Sequence, residues 1–122
     1  VEINFFGNLA FNELMSLYKK YTFYISTSKF EGNPKTLLEA MGSGCIVIAS
    51  NIPNHKELIS DGKDGRLFNL QNPDIKNLLL ELTKNKEHME NISAAASRRI
   101  SNNNNIDKLA NLMVKDYQNL IN

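Results

Sequence analysis

Two glutamates flank the predicted start of a helix in the first half of the chain. Glu31 and Glu39 lie eight positions apart, and a Gly-Asn-Pro turn follows the first of them. We expect Asn33 to cap this helix and Pro34 to occupy its first turn. The N–H groups of residues 35–37 would then lack acceptors inside the helix, and such a helix start favours an anion such as a phosphate.

A carboxylate close to a bound phosphate is repulsive unless it binds another group. Carboxylates accept two hydrogen bonds at once, and neighbouring sugar hydroxyls offer two donors at a matching distance. The spacing therefore favours a nucleoside diphosphate sugar, with Glu39 on the ribose and Glu31 on the transferred sugar, while Gly32 lets the backbone approach that sugar closely. Two structural alternatives stay open: Glu39 pairs with Lys35 on the helix surface, and Glu31 is a solvated loop charge.

The hydrophobic pattern predicts strands that alternate with helices. Strands are predicted over VEINFFG, TFYIST, CIVIAS and RLFNL, and helices over NELMSLYKKY, PKTLLEAMGSG and PNHKELIS, with three more helices between Pro73 and Asn122. We therefore expect an α/β, Rossmann-like three-layer domain with a mainly parallel sheet of about four strands, closed by C-terminal helices. Ligands of such sheets bind at the carboxyl ends of the strands, which is where the Glu31 loop falls.

Helical spacing also predicts which way several side chains face. On the central helix, Leu37, Leu38 and Met41 should pack on the sheet, whereas Glu39 should lie on the polar side. Three further residues are assigned from their surroundings in the sequence: Asn12 as the cap of the first helix, Cys45 as a small core residue and His55 as an exposed histidine near a turn.

Composition excludes several classes of function. The chain has 122 residues, of which 42% are apolar and 22% charged, as expected for one soluble globular domain. Its net charge of +1 gives no strong field for nucleic acid or anionic lipid, and its longest apolar run is too short to span a membrane. The single cysteine fits a reducing cytoplasm. Because the chain starts without Met and directly in a predicted strand, we expect a piece of a longer protein.

The segment from Phe30 to Phe68 resembles the donor-binding signature of the group-1 family of retaining glycosyltransferases with the GT-B fold. That signature has two glutamates separated by seven residues, an Ala-Met pair, a Gly-containing turn, an apolar strand, a Glu-Leu-Ile-like helix start and a Gly-rich turn. All of these occur here in order, and the resemblance covers nearly the whole chain.

The resemblance implies a role for each residue near the helix start. Glu31, as the catalytic residue, would contact the transferred sugar near the reacting carbon, and Glu39 would hold the ribose. Residues 32–34 would line the sugar pocket, and the amides of residues 36–38 would bind the diphosphate. The implied donor-binding residues are Glu31, Gly32, Asn33, Pro34, Thr36, Leu37, Leu38 and Glu39. The resemblance implies no metal ion and no cofactor, since the nucleotide diphosphate sugar is a substrate.

The resemblance also sets expectations for the whole protein. Residues 1–122 would be a single domain and most of the C-terminal nucleotide-sugar-binding domain of a larger GT-B enzyme, truncated at its N-terminal side. The diphosphate-neutralising basic pair and the N-terminal acceptor domain would lie upstream, so we expect this fragment alone to be inactive. We expect neither a nucleic-acid partner nor a membrane span in this chain.

For the full-length protein we expect a cytoplasmic hexosyl-type glycosyltransferase that acts with retention in bacterial surface polysaccharide or lipopolysaccharide assembly. Peripheral attachment at the inner membrane stays open. One alternative is a nucleotide-sugar epimerase-like GT-B enzyme. The other is a non-catalytic α/β binding or signalling domain of receiver type, for which the predicted strand ends lack the acidic cluster that would hold magnesium.

Overall fold

The computed structural model describes residues 3–30 and 34–102. In chain order the elements are α1 (Phe11–Lys20), β1 (Phe23–Ser26), α2 (Lys35–Gly42), β2 (Ile46–Ser50), α3 (Pro53–Leu58), β3 (Arg66–Phe68), α4 (Ile75–Thr83) and α5 (Lys86–Asn102). The three strands form one parallel sheet in the order β1-β2-β3. The predicted α/β class is therefore confirmed, and the predicted third C-terminal helix falls outside the described residues.

The central strand β2 is the core of the domain. All five of its residues are buried, as the continuous apolar run predicted. Because side chains alternate across a strand, Val47 and Ala49 lie on one face and pack in a hydrophobic cluster with residues of α1 and α2. Ile46 and Ile48 face the other way, onto α4, while α5 contributes to the clusters on both faces of the sheet.

A glycine ends α2 and sends the chain directly into β2. Gly44 has φ 89°, a left-handed conformation that side chains disfavour. Its N–H donates to the Met41 carbonyl (3.1 Å), and the N–H of Cys45 donates to the Ala40 carbonyl (3.0 Å). These two bonds satisfy the last turn of the helix. Cys45 is buried as predicted, and its thiol donates a hydrogen bond to the Tyr18 carbonyl, with 2.9 Å between sulfur and oxygen.

The predicted first strand is wrong for the residues that the structure describes. Residues 3–10 form no strand, and side chains in this segment are strongly exposed, with Phe5 at 94%. Alternating apolar residues make a strand only where a neighbouring strand supplies hydrogen bonds. Within the described ranges no strand pairs with this segment, so the sheet has three strands rather than about four.

Two predicted helix starts are displaced by one or two residues. Helix α1 is preceded by Ala10 as its N-cap, so Asn12 lies inside the helix and does not cap it. Helix α2 is preceded by Pro34, which occupies the N-cap position rather than the first turn. The physical reason at Pro34 is its ψ of 39°, which lies outside the helical range.

A buried ion pair fastens α5 to the loop that follows α3. Asp64 is 4% exposed and accepts hydrogen bonds from the N–H of Ser60 (2.7 Å) and from Arg99 Nη1 (2.9 Å). Arg99 Nη2 also donates to the Glu57 carbonyl at 2.9 Å. Breaking one side of a buried pair leaves the other charge poorly compensated, which is more destabilising than losing an exposed pair.

We expect Asp64→Asn to lower the free energy of unfolding by about 1–3 kcal/mol, measured by urea denaturation. Asp61→Asn is the matched control, because Asp61 also accepts from an arginine and a backbone N–H, those of Arg66 and Leu67. Its side chain is 51% exposed, so its loss should change stability by less than about 1 kcal/mol. Equal effects at the two positions would contradict the role of the buried pair.

Two features of the described residues bear on membranes and metals. None of the helices within residues 3–30 and 34–102 combines the length and the apolar character needed to cross a bilayer. The same stretches bring together no group of three or more His, Cys, Asp or Glu side chains suited to a metal ion.

Candidate functional site

The start of α2 lies where a parallel sheet presents its ligand-binding edge. Strand β1 ends at Ser26, and α2 begins at Lys35 after the connecting loop. Three residues assigned to the site from the sequence, Glu31, Gly32 and Asn33, lie outside the described residues. The remaining five, Pro34, Thr36, Leu37, Leu38 and Glu39, belong to the first turns of α2 and to the residue before it.

The backbone at the start of α2 is arranged as an anion-favouring helix N-terminus. The first hydrogen bond that closes the helix runs from the N–H of Leu38 to the Pro34 carbonyl (3.0 Å), and no side chain caps this end within the described part of the chain. The amides of Thr36 and Leu37 precede that bond, in the turn whose N–H groups have no acceptor inside a helix. The resemblance assigned the amide of Leu38 to the diphosphate, but this N–H donates to a carbonyl within the helix.

Glu39 lies one turn further along α2, and its environment differs from the prediction. We expected it on a polar face, but it is 3% exposed, because α1 packs across this side of the helix. The hydroxyl of Tyr18 on α1 hydrogen-bonds the Glu39 carboxylate. The second carboxylate oxygen differs: Glu39 Oε2 is buried and has no hydrogen-bond partner among the described residues. A buried carboxylate oxygen without a donor is unfavourable, and a ligand that brings donors would relieve it.

Glu39 and Tyr18 both have raised pKa values. Burial raises the pKa of the Glu39 carboxyl above its ordinary value of 4.5, while the charge of Lys35 and the hydrogen bond from Tyr18 act in the opposite direction. Burial, followed by the charge of Glu39, raises the pKa of the Tyr18 hydroxyl. Tyr18 therefore stays protonated and serves as a donor to Glu39.

Two tyrosines support this helix start, and sequence reasoning missed them both. Tyr24 of β1 and Thr36 share a hydrogen bond of 2.8 Å between their hydroxyl oxygens. The rings of Tyr18 and Tyr24 meet edge to face with centroids 6.0 Å apart. The available signal was the chemistry of tyrosine itself, since a buried hydroxyl needs a hydrogen-bond partner and a nearby carboxylate is a natural one.

His55 was predicted to be exposed, and this prediction is wrong. The side chain is 0% exposed and lies against the end of β2, with Nδ1 2.7 Å from the Ser50 carbonyl oxygen. The turn from β2 into the short helix α3 brings it back over the carboxyl edge of the sheet. A histidine close to a turn in the sequence is thus buried by the tertiary fold.

The structure also contains a groove of about 500 Å³ on the opposite side of the domain. Its lining includes Thr22 and Ile46, which lie at the amino ends of β1 and β2, together with Met89 and Ser93 of α5. Ligands of parallel sheets bind at the carboxyl ends. We therefore locate the candidate site at the start of α2 and not in this groove.

The fold and the geometry at its carboxyl edge define this chain as a Rossmann-like α/β domain. Comparison with known families then makes the assignment specific. The family described as "Glycosyl transferases group 1" matches residues 1–99. The chain belongs to this family of glycosyltransferases, as the resemblance of residues 30–68 predicted.

Individual relatives agree with the family and are much longer than this chain. An uncharacterized glycosyltransferase of Methanocaldococcus jannaschii is 34% identical over 86 residues, which cover 70% of this chain and 24% of that protein. The GtfA subunit of a UDP-N-acetylglucosamine–peptide N-acetylglucosaminyltransferase of Streptococcus agalactiae is 35% identical over 72 residues, or 58% of this chain and 14% of that protein. The chain thus spans less than a third of either relative.

Two solved structures share the fold. The C-terminal domain of the group 1 glycosyl transferase LpcC of Francisella tularensis superposes with a TM-score of 0.68 at 27% identity, covering 82% of this chain and 51% of that one. Sucrose-phosphate synthase of Thermosynechococcus elongatus gives a TM-score of 0.78 at 20% identity, covering 97% and 30%. The latter supports the fold alone.

Proposed function

We propose that this chain is the donor-binding part of a retaining glycosyltransferase that transfers a hexosyl-type sugar from a nucleoside diphosphate sugar to an acceptor. The observation that carries the proposal is Glu39 Oε2, a buried acceptor without a partner among the described residues, one helical turn from the start of α2. A ribose diol would supply the missing donor. The amides of Thr36 and Leu37 would hold the adjacent diphosphate.

The proposed chemistry divides the work between the substrate and the chain. The bond between the anomeric carbon and the diphosphate oxygen breaks, and a bond from that carbon to the acceptor oxygen forms on the same face. The acceptor proton passes to the leaving diphosphate, so this chain supplies position and charge stabilisation rather than a nucleophile. In this scheme Glu31 contacts the transferred sugar, and the backbone of residues 32–34 lines its pocket.

We further propose that residues 1–122 form most of the C-terminal domain of a larger, cytoplasmic enzyme whose other domain binds the acceptor. The greater length of the relatives supports this division. We propose a bacterial surface polysaccharide or lipopolysaccharide as the acceptor. The streptococcal relative is named for a peptide acceptor, so peptides belong in the same acceptor screen.

Calorimetric titration of the full-length protein tests the donor site. We expect a nucleoside diphosphate to bind about tenfold or more tightly than the corresponding monophosphate, because the second phosphate reaches the start of α2. The series is repeated with uridine, guanosine and adenosine nucleotides. Equal affinity for the mono- and diphosphate would contradict a diphosphate site at this helix.

Product analysis distinguishes the proposed reaction from the epimerase alternative. We expect acceptor-dependent release of the nucleoside diphosphate, with the anomeric configuration of the donor kept in the product, as read by NMR. The isolated 122-residue chain should bind nucleotide weakly and transfer nothing. Conversion of the donor into an isomeric nucleotide sugar without acceptor would contradict the transferase assignment.

A further inference from the structure

A chain of buried and half-buried hydrogen bonds links α3 to the segment that leaves β1. Ser50 and His55 are both 0% exposed, and they lie at the carboxyl edge of the sheet. The Ser50 hydroxyl donates to the Ser28 carbonyl at 2.6 Å, and His55 Nδ1 lies 3.3 Å from the same Ser50 hydroxyl. The bonds therefore cross from one parallel strand end to the next and reach the loop that precedes α2.

The geometry fixes the tautomer of the imidazole. His55 Nδ1 is 2.7 Å from the Ser50 carbonyl oxygen. A carbonyl oxygen accepts and never donates, so Nδ1 must carry a proton. The single hydrogen on Nδ1 is then shared between the Ser50 carbonyl oxygen and, at the longer distance, the Ser50 hydroxyl oxygen, whose own hydrogen points at the Ser28 carbonyl. The direction of every bond in the chain is thus determined.

The segment held by these bonds has little other burial. Thr27, Lys29 and Phe30 are exposed, with Phe30 at 85%. A small cavity of about 110 Å³ separates Lys29 and Phe30 from the first residues of α3. Because these side chains are exposed, the bond to the Ser28 carbonyl has a large share in fixing the path of the segment.

We infer that Ser50 and His55 are positioning residues, which hold residues 27–30 at the carboxyl edge of the sheet so that the transferred sugar is bound there in the reactive position. This inference rests on the proposed function. Glu31 follows Ser28 by three positions in the sequence, so a displaced Ser28 carbonyl would misplace the sugar contacts. The start of α2 and Glu39 hold the nucleotide diphosphate separately.

This division of labour predicts a specific kinetic pattern in the full-length protein. Ser50→Ala and His55→Gln should lower kcat about ten- to a hundredfold, because small displacements of reacting groups reduce rates that much. The affinity for the nucleoside diphosphate without its sugar should stay unchanged. Amide hydrogen exchange of residues 27–30 should become faster in both variants.

Two matched variants serve as controls. His55→Asn should keep kcat close to that of the wild type, because the asparagine side-chain nitrogen can occupy the position of Nδ1, whereas the glutamine nitrogen extends toward that of Nε2. Ser26→Ala removes a longer bond, 3.3 Å from Ser26 Oγ to Ser28 Oγ, without touching the link to α3, and should also leave kcat unchanged. Should His55→Gln fail to fold, Ser50→Ala, which deletes a single oxygen atom, carries the test.

The outcomes separate this inference from the proposed function. If the wild-type protein binds nucleoside diphosphate sugars but Ser50→Ala changes neither kcat nor exchange, the positioning role is overturned and the function stands. The role is also overturned if exchange rises while kcat does not fall, or if nucleoside diphosphate affinity falls in step with kcat. If the wild-type protein binds no nucleotide sugar, the proposed function fails and the inference fails with it.

Discussion

Replacing Glu39 with glutamine is expected to weaken nucleoside diphosphate binding about ten- to a hundredfold, the loss typical of a hydrogen bond to a charged acceptor. Glutamine keeps the length of the side chain and an oxygen that can accept from Tyr18. It removes the charge and places an amide where a carboxylate oxygen would accept a second ribose hydroxyl. Calorimetry with the full-length protein measures the change.

The same substitution should raise stability at neutral pH. Burial holds the pKa of Glu39 above its ordinary value of 4.5, so the folded state binds the proton more tightly than the unfolded state. The stability that this provides is fully present below pH 4.5 and is lost as the pH rises through the higher folded-state pKa. Above that range the wild-type protein carries a buried charge, whereas the Glu39→Gln protein stays neutral.

Thermal melts at several pH values measure this second effect. The melting temperature of Glu39→Gln should match that of the wild type below pH 4.5, exceed it as the pH rises, and differ by a constant amount above the folded-state pKa of Glu39. Glu90→Gln is the control, because Glu90 is exposed on α5, and it should change neither binding nor this pH dependence. Unchanged nucleotide affinity in Glu39→Gln would remove Glu39 from the site, whatever its effect on stability.

The two effects of Glu39→Gln follow from one feature of the structure. A buried carboxylate with one oxygen that has no partner among the described residues destabilises the folded chain until a ligand supplies donors. A purely structural glutamate would be expected to stabilise the fold through its partners. Opposite signs for stability and for ligand affinity are therefore the combination that a binding role predicts.

Sequence patterns predicted the central part of this fold well, because local periodicity and tertiary burial agree there. The run from Cys45 to Ser50 has no polar alternation, and Ile46–Ser50 within it form the strand buried on both faces. Leu37, Leu38 and Met41 pack into the core as their helical spacing indicated. The predicted first strand failed for the opposite reason, since its pattern is local while strand formation needs a partner.

The site could be located from the sequence but its environment could not. The order of elements places the start of α2 at the carboxyl edge of the sheet, and this much follows from βα alternation. The burial of Glu39 depends on α1 crossing α2, and that of His55 on the turn after β2. Both are packings between distant segments, which the spacing of polar residues within one helix does not encode. The hydroxyl of Tyr18 was likewise hidden within an apolar stripe of α1.

Ile48→Ala is expected to lower the free energy of unfolding by about 2–5 kcal/mol, the largest stability effect that we predict. Ile48 is 0% exposed at the centre of β2, with a strand on each side, and it packs in the cluster that contains Phe68, Leu82 and Ile92. Alanine would leave a cavity that rigid neighbours on both sides cannot fill. Urea denaturation of the 122-residue chain, followed by circular dichroism, measures the change.

Ile25 provides a matched control for this substitution because it is the register partner of Ile48 on β1. The two side chains are identical and point to the same face, but β1 lies at the edge of the sheet and Ile25 is 43% exposed. Folding removes less apolar surface from water at Ile25 than at Ile48. Ile25→Ala should therefore lower the free energy of unfolding by about 1 kcal/mol or less. An equal cost at the two positions would contradict the edge position of β1, on which the three-stranded order of the sheet depends.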